Sequence, residues 1–175
     1  MPAHCAITVR KFEVTESLIY RNLRLSALEE SPAAFSSNLI AEQSRTDDEW
    51  ASRLRIASNS GFDLPLIGYV GVEAAGLAWG KVDRSDSTIV NVYQMWVAPE
   101  CRGRGLARLL LRSIVDWAVS LRARSLQLGA VCDDSPAMRL YISEGFVPLG
   151  QIAPLRSGSM LMVQNMRLHI PQSAV

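Results

Sequence analysis

A glycine-rich segment between two apolar runs places the strongest constraint on how this chain can fold. The run before it, residues 89–97, is apolar at most positions and ends just before Pro99, which is typical of a strand covered on both faces. The run after it repeats apolar residues at helical spacing, namely Leu106, Leu110, Ile114, Trp117 and Leu121. The sequence therefore predicts a strand and an amphipathic helix joined through Gly103 and Gly105.

This junction has the features of an anion-binding loop. Glycine lets the backbone take a positive φ and lets a ligand approach without meeting a Cβ atom. The first amide hydrogens of a helix lack partners within it, and the helix dipole is positive there, so a phosphate is favoured. A structural turn with solvated arginines is the alternative. A P-loop is excluded because no Lys follows Gly105, and the dinucleotide motif because position 108 is Arg rather than Gly.

Two motifs together resemble the GNAT acetyltransferase superfamily. The pattern Arg-x-x-Gly-x-Ala at residues 102–107 resembles that superfamily's pyrophosphate loop. Residues 134–146 resemble its Asn-x-x-Ala-x-x-x-Tyr-x-x-x-Gly-Phe segment, with Asp134 where the family usually has Asn. The resemblance covers residues 89–146, and beyond them only the order of elements agrees.

The order of elements supports an α/β fold independently of these motifs. Periodicity predicts β-α-α-β-β-β-α-β-α-β-β, with one crossover long enough to make neighbouring strands parallel. Thr15 is predicted to cap a first helix through Leu18, Leu25 and Leu28, and Thr46 a second helix by a capping box. The resemblance implies a mixed, mostly antiparallel sheet with helices on both faces and one parallel strand pair that splays at the coenzyme site.

Length and composition predict one soluble domain. The chain has 175 residues, of which 49% are apolar and 20% charged, and its formal net charge is +1. That balance disfavours a protein that coats nucleic acid or an anionic membrane, and no apolar run reaches the roughly 18 residues of a membrane span. We expect one domain over residues 1–170, a loose tail over 171–175 and a cytoplasmic location. Cys5, Cys101 and Cys132 match no zinc pattern, so no metal is expected.

The resemblance implies acetyl-CoA as the co-substrate and a set of residues that hold it. The coenzyme contacts carried over to this sequence are Met95, Val97, Arg102, Gly103, Arg104, Gly105, Leu106, Ala107 and Asp134. The implied reaction is attack of a neutral amine on the thioester carbonyl, with a backbone amide near Met95 stabilising the oxyanion. Tyr141 is expected to protonate the departing thiolate, because a phenol keeps its proton at pH 7. A buried structural tyrosine is the alternative.

The acceptor is the least defined part of the hypothesis. Glu30, Phe35 and Trp96 are candidate acceptor contacts, although each also suits a purely structural role. No residue emerges as the general base, and Cys101 is not expected to act as a nucleophile because no His lies in the central motifs. The sequence leaves open a small-molecule or protein amine, a non-catalytic acyl-CoA sensor of the same fold, and a homodimer. Nucleic-acid binding through the arginines is disfavoured.

Overall fold

A computed structural model describes residues 5–172 of the chain. Seven strands form one sheet in the order β1-β2-β3-β4-β5-β7-β6. Their bounds are β1 Ile7–Lys11, β2 Asp63–Val70, β3 Glu73–Val82, β4 Ile89–Val97, β5 Ser125–Val131, β6 Val147–Pro154 and β7 Met162–His169. Within the described residues, β4 and β5 are the one parallel pair and the other neighbouring strands are antiparallel. The predicted mixed sheet is therefore confirmed.

Five α-helices accompany these strands in the described part of the chain. They are α1 Ser17–Glu30, α2 Leu39–Gln43, α3 Asp47–Ser60, α4 Leu106–Ser120 and α5 Pro136–Ser143, and short 3-10 turns lie at Val14–Glu16, Pro32–Ala34 and Pro99–Cys101. The predicted order is confirmed except for α2, a five-residue helix that periodicity missed. None of these helices is both long enough and apolar enough to cross a membrane.

Helices cover both faces of the sheet. Successive residues of a strand point to opposite faces, and on β3 Gly80 faces Ile114 and Trp117 of α4. The adjacent Trp79 packs against Tyr20 of α1, with 5.5 Å between ring centroids. Helix α3 packs against α1 and β2. The core therefore lies in two layers, one on each side of the strands.

The first helix begins differently from its prediction. Thr15 lies inside a 3-10 turn and does not cap α1. Of the three leucines expected along this helix, Leu28 is buried and Leu18 is 59% exposed. The buried residues of α1 recur at i, i+3, i+4, i+7 and i+8, and they are Tyr20, Leu23, Arg24, Ala27 and Leu28. The buried stripe therefore contains one charged residue.

The second predicted helix has the ends that the sequence indicates. The Thr46 hydroxyl accepts a hydrogen bond from the Glu49 N–H at 3.3 Å, and the Glu49 carboxylate accepts one from the Thr46 N–H at 2.7 Å. These two bonds form the predicted capping box. The helix ends at Gly61, as the Asn-Ser-Gly sequence at residues 59–61 predicts.

The last described residues contact the segment before β5. Ile170 is buried, and its N–H donates to the Arg124 carbonyl at 2.9 Å. The Gln172 Nε2 donates to the Ala123 carbonyl at 2.9 Å. Residues 173–175 of the predicted tail lie outside the described range, and the tail stays a prediction.

The parallel strand pair separates along its length. Pairing between β4 and β5 stops after Asn91 and Gln127. Beyond those residues, β4 stays paired to β3 and β5 stays paired to β7. A gap therefore opens between residues 92–97 and 128–131, which confirms the predicted splay.

Candidate active site

The chain between β4 and α4 forms an open loop at the N-terminus of the helix. Gly103 and Gly105 take φ angles of +75° and +89°, a left-handed conformation that is costly for residues with a Cβ. Among the described residues, a Cβ at Gly103 would meet no atom within 4 Å, and one at Gly105 would meet Ile7 Cδ1 at 3.6 Å. The first helical bond runs from the Leu109 N–H to the Gly105 carbonyl. The amides of residues 106–108 therefore precede the ladder and are available to an anion.

A cavity of about 810 Å³ lies where β4 and β5 part. Its lining includes Arg24, Phe35, Gln94, Met95, Leu128 and Tyr141. A volume of this size falls in the usual range of small-molecule sites, roughly 300–1,000 Å³. Of the predicted site residues, Phe35, Met95 and Tyr141 thus share one space.

Arg102 fastens the loop to its neighbours. Its Nε donates to the Val97 carbonyl at 2.9 Å, and its Nη2 pairs with Glu30 Oε2 at 2.7 Å. Its backbone N–H donates to the Pro99 carbonyl at 3.2 Å. These bonds join the end of β4, the loop and the end of α1. The Val97 carbonyl, a predicted coenzyme contact, already has one donor and retains a second lone pair.

Glu30 is held as a carboxylate by three donors. It accepts hydrogen bonds from Trp96 Nε1 at 2.9 Å, from Arg102 Nη2 at 2.7 Å and from the Ser31 hydroxyl. Burial favours the neutral acid, but the three hydrogen bonds outweigh it and lower the pKa of Glu30 to about 2. Glu30 and Trp96, predicted as acceptor contacts, therefore lie beside the loop and not among the residues that line the cavity.

The remaining arginines of the loop and of α4 have two different surroundings. Arg108 Nε and Arg112 Nε pair with the two carboxylate oxygens of Glu144 at 2.7 and 2.9 Å, which ties α4 to the end of α5. Within residues 5–172, Arg104 forms no ion pair, so its charge is available to an anion at the loop. The other three arginines have carboxylate partners, and Arg108 and Arg112 share one of them.

Strand β4 contains a bulge where it borders the cavity. Gln94 has a φ of +55°, and the register with β3 shifts here so that two residues of β4 oppose one of β3. The Tyr20 hydroxyl donates to Gln94 Oε1 at 3.1 Å, which helps to hold this strained backbone. The bulge takes Met95 out of the regular ladder at a point where Met95 lines the cavity.

Tyr141 is buried and lines the cavity. The ring packs against Phe146, with 5.9 Å between centroids, and the residue is 6% exposed. Burial raises the pKa of Tyr141 to about 12, so the phenol keeps its proton at neutral pH. In the described part of the chain, no side chain or backbone group hydrogen-bonds this hydroxyl. Its proton is therefore available to a group in the cavity.

Asp134 and Cys101 lie outside the cavity. Asp134 is exposed before α5, where its Oδ1 pairs with Arg139 Nη1 at 2.6 Å. Cys101 is buried, and burial, together with Glu73 and Glu100, raises the pKa of its thiol, which makes it a poor nucleophile. Across residues 5–172, no group of three His, Cys, Asp or Glu side chains is placed to hold a metal ion.

Arg24 is a candidate that the sequence analysis missed. It is 2% exposed, yet its Nε and Nη1 have no hydrogen-bond acceptor within the described residues. Its guanidinium lies 4.6 Å from the centre of the Phe35 ring and lines the cavity. Burial lowers the pKa of Arg24, although arginine stays protonated in proteins. The available signal was a charge within the helical stripe that runs from Tyr20 to Ala27.

The sequence matches one family model over most of its length. The model described as "Acetyltransferase (GNAT) family" matches residues 25–146. A curated relative, the N-alpha-acetyltransferase RimI of Mycobacterium tuberculosis, is 30% identical over 131 residues, which span 72% of this chain and 79% of the relative. The motifs at residues 102–107 and 134–146 lie within the region covered by the family model.

Solved structures share the same fold at lower identity. The acetyltransferase of the GNAT family from Streptococcus pneumoniae superposes with a TM-score of 0.79 at 23% identity, covering 94% of this chain and 100% of that one. The putative acetyltransferase yncA from Salmonella typhimurium, solved with its cofactor acetyl-CoA, has a TM-score of 0.79 at 20% identity and covers 97% of each chain. At these identities, the likeness shows that the fold is shared.

Proposed function

The chain belongs to the GNAT acetyltransferase family, and from that premise we propose that it transfers an acetyl group from acetyl-CoA to a primary amine of a small molecule or protein. The observation that carries the proposal is the gap between β4 and β5, which has a free helix N-terminus near one end and Tyr141 beside it. A carrier with an anionic end and a reactive thioester end fits this arrangement.

The loop suits the diphosphate of acetyl-CoA. The backbone amides of residues 103–107 would hold it, since the two left-handed glycines leave open space beside them. Arg104 would add a charge, whereas Arg102 would act mainly by fixing the loop. The pantetheine arm would run along the open side of β4 past Val97 and Met95. Asp134 would have its second carboxylate oxygen to offer the coenzyme, since its ion pair with Arg139 uses Oδ1.

Two groups of this chain, the Met95 amide and the Tyr141 phenol, would each assist one step of the reaction. The amine nitrogen forms a bond to the thioester carbonyl carbon, and the carbon–sulfur bond then breaks. The Met95 amide would stabilise the charge on the carbonyl oxygen during attack, because a fixed donor needs little reorganisation. Tyr141 would give its proton to the departing sulfur and regain one from solvent, while the proton of the amine leaves to water. The products are the acetylated amine and free CoA.

The acceptor would enter through the part of the cavity that Phe35 lines. Glu30 and Trp96 are better placed to support the loop, since Glu30 accepts hydrogen bonds from both Trp96 Nε1 and Arg102 Nη2. We therefore assign the direct acceptor contact to Phe35 and an indirect role to the other two.

Two measurements on the full chain test the proposal. Acetyl-CoA at 100 times its dissociation constant is expected to stabilise the fold by about 2.7 kcal/mol, measured by thermal or urea unfolding. Release of CoA thiol on adding a panel of amines is then expected to exceed hydrolysis without amine. Stabilisation without thiol release from any amine would instead indicate an acyl-CoA sensor. Absence of both responses would contradict the assignment of the loop.

A further inference from the structure

Arg24 is a buried cation with two nitrogens that lack a hydrogen-bond acceptor in the described part of the chain. It lies on α1 at 2% exposure, and Nε and Nη1 find no acceptor within the described residues. One face of the guanidinium is covered by the Phe35 ring at 4.6 Å. Because Arg24 and Phe35 both line the cavity, the guanidinium borders the space where an acceptor would bind.

The other charged residues that line the cavity already have partners. Arg53 Nη1 pairs with Glu42 Oε2 at 3.2 Å, and Lys81 Nζ pairs with Asp63 Oδ1 at 3.3 Å. Asp63 is the one acid among the lining residues, and it also accepts from Trp79 Nε1. Arg24 is therefore the charged lining residue that forms no ion pair within the described residues, while Glu42 is shared by Arg45 and Arg53.

An isolated buried charge is expensive, and its cost is relieved when an opposite charge with matching hydrogen-bond acceptors arrives. The planar guanidinium presents parallel N–H donors that fit the two oxygens of a carboxylate or phosphonate. We propose, as a refinement that rests on the proposed function, that the acceptor is a small amine bearing such an oxyanion, as in an α-amino acid, and that Arg24 binds the oxyanion.

This assignment separates possible acceptors by charge. A free amino acid would place its oxyanion on Arg24 and its amine toward the gap where Met95 and Tyr141 lie. An amino acid amide or a decarboxylated amine would leave the guanidinium unpaired. A polyamine would bring further positive charge against it. We therefore expect free acids to be preferred over all three.

The first test compares matched acceptors on the wild-type protein by CoA thiol release. The panel holds free amino acids, 1-aminoalkylphosphonates, the corresponding amides and decarboxylated amines, and spermidine. The best free acid is expected to exceed its own amide and amine in kcat/KM by roughly 10²-fold or more, since a buried charge pair is lost in the latter. Comparing kcat/KM for the amino acids with that for the 1-aminoalkylphosphonates shows which oxyanion is preferred. Equal rates for acid and amide, or a preference for spermidine, would overturn the proposal.

The second test removes the charge. Arg24→Met keeps an unbranched chain and is expected to lower kcat/KM for the acid by about 10²-fold while changing that for the decarboxylated amine by less than about threefold. Arg24→Lys is expected to recover part of the loss. Arg53→Met, at a paired cation of the same cavity, is the matched control and should leave the acid-to-amine ratio unchanged. An Arg24→Met variant with an unchanged ratio would contradict the role.

A binding readout keeps this proposal distinct from the proposed function. In the CoA-saturated protein, the preferred acid is expected to raise the unfolding temperature of wild type but not of Arg24→Met. If that difference appears without thiol release from any amine, the oxyanion site stands and the transferase function fails. If amines are acetylated but no acid stabilises the protein through Arg24, the function stands and the oxyanion site is wrong. The wild-type comparison of acid with amide remains decisive even if Arg24→Met does not fold.

Discussion

The coenzyme loop, residues 102–107, and the Arg24 wall, formed by Arg24 and Phe35, differ in what they offer a ligand. The coenzyme loop offers backbone amides held open by two glycines with positive φ. The Arg24 wall offers one buried guanidinium stacked on a ring. A backbone site requires particular residues at fixed spacing, whereas a side-chain site requires only that the fold bring a few residues together. We therefore expect the first region to bind the coenzyme and the second to select the acceptor.

The largest expected effect comes from filling the coenzyme loop. Gly105→Glu places a carboxylate in the open space beside the amides, where it repels a diphosphate, and we expect affinity for acetyl-CoA to fall at least about 10²-fold. Gly61→Glu is the matched control, because Gly61 also has a positive φ, of +69°, and open space around it. Both variants should lose about 1–2 kcal/mol of stability from backbone strain. Titration calorimetry should show tight binding in the control alone, and equal binding in both would place the coenzyme elsewhere.

The next largest effect concerns Tyr141, which lines the same cavity as the Arg24 wall. Tyr141→Phe removes a hydroxyl that has no partner in the described part of the chain, so stability should barely change. If the phenol donates the proton to sulfur, kcat should fall by about 10²-fold or more with acetyl-CoA affinity retained. Tyr93→Phe is the control, since Tyr93 lines the same cavity but is 50% exposed. Steady-state kinetics that show the same kcat for both variants would remove the acid role.

A smaller effect is expected where α1 meets the coenzyme loop. Glu30→Gln weakens the bond to Arg102, and we expect a lower unfolding temperature at pH 7. The pKa of Glu30 in the fold, about 2, lies below its ordinary value of 4.5. The stabilisation is therefore complete above pH 4.5 and is lost as pH falls toward 2. Unfolding curves of wild type and Glu30→Gln should converge over that interval, while exposed Glu29→Gln should track wild type throughout. A difference in unfolding temperature between the two proteins that persists at pH 2 would mean that Glu30 acts by packing rather than by its charge.

The smallest effect is expected at Asp134. Asp134→Asn restores the residue that the family usually has and removes an exposed ion pair with Arg139, which contributes about 0–1 kcal/mol. We expect KM for acetyl-CoA to change by less than about fivefold in either direction. A much larger decrease in KM would show that the aspartate hinders coenzyme binding and that the contacts at this end extend beyond residues 102–107.

The same contrast explains which parts of the molecule the sequence predicts. Strand β4 and helix α4 have the predicted bounds and α3 has the predicted capping box, because glycine, proline and capping residues act on the backbone near them. The short helix α2 was missed because its five residues are too few to show a repeating apolar stripe. Its N-terminus is capped by the Asn38 side chain.

Side-chain partners across the sheet were not predictable in this way. Local patterning could not reveal that Arg102 joins Glu30 and the end of β4, because those residues come together only in the folded chain. The buried face of α1 was not predictable for a related reason. Its buried stripe contains Arg24, a charged residue that a simple apolar pattern does not include.

The central claim is that acetyl-CoA lies in the gap between β4 and β5 with its diphosphate on the coenzyme loop. A crystal structure of the complex with acetyl-CoA tests it most directly. We predict diphosphate oxygens within about 3 Å of the backbone nitrogens of residues 103–107, and the acetyl group in the cavity beside Tyr141. A diphosphate bound away from those nitrogens, or an acetyl group outside that cavity, would contradict the account.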